Sequence, residues 1–124
     1  MATEAPAALE ASQVQAFVGN AHGDLEAVRA ALEAEPRLVN AAWDWGGGDW
    51  ETPLGAASHM LRRDIAELLL AHGARLDVFA AAMLGDVDVV RAVLTAHPEL
   101  RDALGPHGIP LAAHAQGAVV DLFA

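Results

Sequence analysis

Two stretches of this chain are copies of one another, and a chain that repeats itself must build its core by stacking like units. Residues 23–41 read GDLEAVRAALEAEPRLVNA and residues 85–103 read GDVDVVRAVLTAHPELRDA, identical at 10 of 19 positions. Each copy carries the same instructions. Gly-Asp offers a turn and a cap, Leu25, Val28 and Leu32 recur at helical spacing, and Pro36 or Pro98 ends the helix. Between the copies, residues 51–77 give a third variant of the unit, ETPLGAASHMLRRDIAELLLAHGARLD.

That third variant opens at Thr52-Pro53-Leu54, a cap followed by a residue suited to the first helical position. Small residues Gly55, Ala56 and Ala57 follow, which let helices approach closely. A second helix then carries Ile65, Leu68, Leu69 and Leu70 and ends at Gly73, where a left-handed cap is expected. A unit of roughly 33 residues with T-P-L, then A-A, then L-L-L-x-x-G-A resembles the ankyrin repeat. The resemblance spans about residues 12–118. It implies an all-α ankyrin-repeat solenoid of three to four helix-turn-helix repeats, at about 12–41, 51–77, 78–104 and a partial 108–124. Residues 1–11 are expected to be a flexible N-terminal segment ahead of one domain, 12–124.

Local signals refine that picture. Ser12 to Gln15 has the form of a capping box for the first helix, followed by the stripe Val14, Phe17, Val18 and Ala21. Asp24 and Asp77 are placed to cap later helices. Leu61-Arg62 stands where the family has Gly-Asp or Gly-His, which predicts a strained turn or a longer helix. Only Ala74–Asp77 separates the Gly73 cap of one helix from the next helix, Val78–Leu84, too little for a linking finger. The last segment, Val119 to Phe123, is apolar where a terminal repeat is expected to be polar. An uncovered apolar end predicts weak dimerisation, through that end or through the groove described below.

Charge and composition narrow the function. Seven basic residues, all Arg, face 17 acids, a net charge of −10. Such a field repels phosphate backbones and favours basic or cationic partners, so no nucleic-acid partner is expected. No apolar run reaches the ~18 residues of a membrane span, and MATEAPAALEAS lacks the features of a signal peptide. The chain has no cysteine, which excludes disulfides, thiolate catalysis and cysteine zinc sites. Together these point to the cytoplasm, and the Lys-free, Ala- and Arg-rich vocabulary to a GC-rich bacterial genome.

The ankyrin resemblance implies that a ligand meets the fingers and the exposed ends of each first helix. Carried onto this chain, those places are Ala21 and His22, His59 and Met60, Met83 and Leu84, with Asp49, Trp50 and Glu51 from the finger. Apolar residues at four of the six helix positions predict an apolar groove. The finger, residues 43–51, reads WDWGGGDWE and holds all three Trp of the protein. Trp43 and Trp45 beside carboxylates suit a cationic ligand; equally, the rings could cover the end of a helix. The triglycine reads as flexible.

The six His show no H-x-H or H-E-x-x-H spacing, so neither a metal site nor a cofactor is expected. His72 and His97 read as contacts to the last carbonyls of their helices. His59 with Glu51 forms a candidate acid–base pair. The expected function is a non-enzymatic recognition module that binds a protein partner across its concave face and Trp-rich finger. The alternative is a small-molecule binder, or a cofactor-free isomerase or cyclase, taking a small apolar or cationic ligand in the same groove.

Overall fold

The computed structural model describes residues 5–124, and the first part of the expected N-terminal segment lies outside it. The chain is mostly helical, with α1 (Ala11–Asn20), α2 (Leu25–Ala34), α3 (Pro53–His59), α4 (Arg63–Ala71), α5 (Val78–Met83), α6 (Val87–Ala96) and α7 (Leu111–His114). Two short strands, β1 (Trp43–Asp44) and β2 (Trp50–Glu51), form one antiparallel ribbon. Among the described residues, no helix is long and apolar enough to cross a membrane.

The helices pair as α1 with α2, α3 with α4 and α5 with α6, and their first members α1, α3, α5 and α7 touch in sequence along one row. That row packs closely because its facing residues are small. Ala56, Ala57, Ser58, Ala80, Ala81 and Ala82 have no solvent exposure. Ser58 is tolerated there because its hydroxyl donates to the Leu54 carbonyl at 2.6 Å. Phe17, Val28, Leu32, Leu38, Ile65 and Leu69 fill a first core, and Val90, Leu111 and Val119 a second. α5 is shared, giving Ala80 and Met83 to the first core and Ala81 and Ala82 to the second.

The two copies of the duplicated segment build the same pieces. α2 is followed by a 3-10 turn at Pro36–Asn40, and α6 by one at Pro98–Asp102. Asp24, Thr52, Asp77 and Asp86 each accept from a backbone N–H three residues on, which satisfies donors left orphaned at the helix starts. Ser12 does not do this for α1. That helix begins two residues earlier, from an extended Glu10 with no side-chain cap, which leaves Ser12 inside the first turn.

The inter-helix turns differ. At Gly85 (φ 75°) and Leu61 (φ 56°) the backbone is left-handed, and in both the second residue of the turn reaches back to the first helix, Asp86 N to Ala81 O and Arg62 N to Ala57 O at 2.9 Å. Leu61 therefore takes a conformation that glycine adopts freely, the strain its sequence predicted. The first turn, Ala21–Gly23, is a residue longer and has no left-handed residue.

The C-terminal segment corrects an expectation. Gly117–Phe123 coils back as a 3-10 helix against α6. Val119 is fully buried, Leu122 and Phe123 pack on the second core, and the Arg101 guanidinium sits 5.6 Å from the Phe123 ring centre. This end covers its own core, so the motive for pairing through it falls away, although Val120 is half exposed.

Candidate metal centre

The finger is built around Asp44. Its Oδ1 accepts from the N–H groups of Gly46 (2.8 Å) and Gly48 (3.0 Å), closing a loop whose Gly46, Gly47 and Gly48 all have positive φ. The glycines are there for their left-handed backbone, and the Asp44 carboxylate pins a turn whose composition suggested looseness. Pairing of Trp43 with Glu51 across the ribbon aims the Glu51 side chain inward, where its residue is 1 % exposed.

The three Trp serve three different ends. Trp43 packs on the first core as a cover. Trp45 donates its indole N–H to Glu51 Oε1 at 2.9 Å. Trp50 stays 62 % exposed.

Around the buried carboxylate stand three imidazoles from distant parts of the chain. His22, in the turn after α1, brings Nε2 to 3.1 Å of Glu51 Oε1. His59, the last residue of α3, brings Nε2 to 2.9 Å of Oε2, and His107 brings Nε2 to 3.2 Å of the same oxygen. One ligand-type atom from each of these four residues lies within 4.8 Å of every other. The ring centres are 5.0 Å apart for His22 and His59, and 5.1 Å for His59 and His107.

Two of the rings are aimed from behind. His22 Nδ1 lies 3.0 Å from both the Val18 and Gly19 carbonyl oxygens, partners that can only accept, so Nδ1 carries the proton. His107 is held twice by Asp49. Its backbone N–H donates to Oδ1 at 2.8 Å, and its ring Nδ1 lies 2.7 Å from Oδ2. Backbone strain accompanies that grip, because His107 has φ 62° within the turn Pro106–Gly108. Each ring, when neutral, thus presents a bare Nε2 lone pair toward Glu51. Carboxylate and carbonyl partners on the far nitrogen are the usual outer support of metal-binding His.

The two extreme protonation states of this cluster are both unfavourable. Neutral rings point lone pairs at a carboxylate, and fully protonated rings crowd three cations together. Glu51 Oε2 and His59 Nε2 are buried with no hydrogen-bond partner among the described residues, for although they are 2.9 Å apart their angles are not those of a hydrogen bond. Burial pushes the His59 imidazole below its ordinary pKa, further lowered by the neighbouring His22 and His107 and only partly offset by Glu51. His107 moves the other way: its own desolvation is outweighed by the hydrogen bond to Asp49 and the charges of Glu51 and Asp49. Asp49 is held below the usual carboxylate range, first by the backbone N–H of His107.

The sequence-expected residues divide cleanly. His22, Glu51, His59, Asp49 and Trp45 come together. Met83 does not join them; it is 3 % exposed in the first core, and Leu84 packs against that core. The expected apolar groove therefore loses three of its four apolar positions, because Ala21 is also fully buried in the first core, and of the four Met60 alone is exposed. His72 contacts a late carbonyl of its helix, that of Leu68, at 2.9 Å as expected, whereas His97 faces Glu99 at 3.6 Å.

The expectation that the His form no metal group is revised, because it tested only spacing along the chain and these ligands are 29, 8 and 48 residues apart in sequence order. His107 was left out of the expected site for the same reason. Its one signal is the Gly-Pro-His-Gly loop, which follows the second copy as the glycine finger follows the first. Comparison of the chain with family models, curated proteins and solved structures finds no match.

Proposed function

We propose that this protein binds one divalent transition-metal ion through the Nε2 atoms of His22, His59 and His107 and a carboxylate oxygen of Glu51, on a scaffold of ankyrin-type repeats. The observation that carries the reading is the buried Glu51, with Oε2 unpartnered and three imidazole Nε2 atoms around it. A cation among these atoms turns lone-pair repulsion into four bonds. The His–Glu separations, 3.1 Å from His22 to Oε1 and 2.9 and 3.2 Å from His59 and His107 to Oε2, are a little shorter than the tetrahedral edges of about 3.3–3.6 Å that bonds of about 2.0–2.2 Å produce, so the rings would part slightly around an ion.

Three nitrogens and one oxygen suit Zn²⁺ and its transition-metal neighbours, whereas Mg²⁺ and Ca²⁺ require oxygen shells. The His22 and His107 side chains are 25 % and 32 % exposed while Glu51 and His59 form the floor, so the ion would be reached by solvent between those two rings. This replaces the cofactor-free groove expected from the sequence. The scaffold reading rests on the paired helices with tight turns and the Thr52-Pro53-Leu54 opening of α3. Recognition of a protein partner remains a second reading, favoured by the exposed Trp50 and Met60 beside the finger.

The test is equilibrium dialysis of chelator-treated protein against Zn²⁺ and Co²⁺, with metal counted per chain. One ion per chain is expected, with intense Co²⁺ visible bands. With free ion a thousandfold above Kd, about 4 kcal/mol of stabilisation follows, roughly 10–20 °C in Tm. Glu51→Gln and His59→Ala should each weaken binding by more than about 100-fold, beyond the loss of an outer partner. Unchanged affinity in both variants would overturn the proposal.

A further inference from the structure

A cleft of about 430 Å³ lies between the finger tip, the heads of α3 and α5, and the loop after Ala103. We infer that this cleft is a separate site for a small organic cation of the quaternary-ammonium kind. It does not rest on the metal reading, and none of the four metal-ligand residues lines it.

Four observations carry the inference. The size falls among small-molecule sites, which run from about 300 to 1,000 Å³. The walls are aromatic and apolar, with Trp50 at 62 % and Leu104 at 67 % exposure beside Phe79 and Pro106. The charged residues in the lining are two carboxylates, Asp49 and Asp77, with no basic residue among them, on a chain of net charge −10. Finally, the Phe79 ring is held in place. It lies so close to Gly105 that a Cβ there would stand 3.0 Å from the ring, and His114 meets it edge-on at 5.0 Å between centres.

These features select the kind of cation. A hydrated metal ion needs free donor atoms, yet both Asp49 oxygens are engaged by His107 and Asp77 Oδ1 accepts from Ala80 N–H at 2.8 Å. A bulky, weakly hydrated ammonium needs aromatic faces and nearby negative charge without direct bonds. Burial pushes the Asp77 carboxyl above its ordinary pKa, so its anion lacks compensation that a bound cation would supply.

The experiment is isothermal titration of the full chain with choline and with its uncharged isostere 3,3-dimethylbutan-1-ol, with saturation-transfer NMR on the methyl groups. Choline should bind at least about tenfold more tightly than the isostere, the difference a cation–π contact makes. Trp50→Ala should weaken choline about tenfold, and Asp77→Asn several-fold while keeping the helix cap. Zn²⁺ stoichiometry should be unchanged in both variants, which separates this proposal from the metal reading. Equal affinity for choline and the isostere, or full affinity in both variants, would overturn it. Tighter binding of a trimethyl-lysine peptide than of choline would overturn the free small molecule as occupant.

Discussion

The two copies of the duplicated segment share the helix, the break and the turn that follow Gly-Asp, and differ most in what stands on either side of them. Both give a capped helix, a proline break and a 3-10 turn. They diverge just outside. Before the first Gly-Asp stands His22, and before the second stands Leu84. After the first copy comes the ribbon that buries Glu51; after the second comes a tighter loop, bridged at Leu104 and Pro110, that presents His107. The loops that follow the two copies meet, one bringing a carboxylate and the other an imidazole. Repetition in sequence marks the frame, and its interruptions mark the chemistry.

Equal residues in the copies do not carry equal weight, and the largest expected effect tests this. Leu32 is 2 % exposed because α2 is covered by α4, whereas its counterpart Leu94 on α6 is only half buried. Leu32→Ala should cost about 3 kcal/mol and Leu94→Ala about half of that, by urea denaturation. Equal losses would mean that the C-terminal copy is packed as tightly as the first.

The helices and their caps were legible in the sequence because their signals are local. Caps at Asp24, Thr52 and Asp77, the break at Pro36 and the left-handed Gly73 are decided by a few neighbouring atoms, and each lies where the pattern puts it. Ser12 misled because the capping-box form says nothing about a helix that starts from Glu10 without a side-chain cap. Three of the four clustered residues, His22, Glu51 and His59, were among those the sequence singled out, the last two standing at opposite ends of the capped helix α3. His107 was not. Its approach to Glu51 depends on how the third helix pair docks on the second, and the Asp49–His107 contact spans 58 residues.

A smaller effect separates the helix caps of the copies. Asp24 Oδ1 lies 3.0 Å from Ala27 N, but Asp86 Oδ1 is 3.4 Å from Val89 N. Asp24→Ala should cost about 1 kcal/mol and Asp86→Ala a few tenths, within the range of such caps. Hydrogen exchange at the first turns of α2 and α6 would report the same order. Matching losses would remove cap geometry as a difference between the copies.

The smallest effect concerns the turns, and here a substitution should stabilise. Leu61 holds φ 56° with its side chain exposed, so the chain bears left-handed strain there with little burial in return. Gly85 holds φ 75° in the corresponding turn without that strain. Leu61→Gly exchanges a strained backbone for a permissive one, at the cost of a more flexible unfolded chain, and should raise stability by up to about 1 kcal/mol. Gly85→Ala should lower it by a similar amount, since its Cβ would have space, 3.6 Å from the Gln116 carbonyl oxygen, but not the backbone angle. Thermal melts of the two variants should therefore move in opposite directions. If Leu61→Gly melts lower, the Leu61 side chain contributes packing that its exposure conceals, and the second turn is not the strained counterpart of the third.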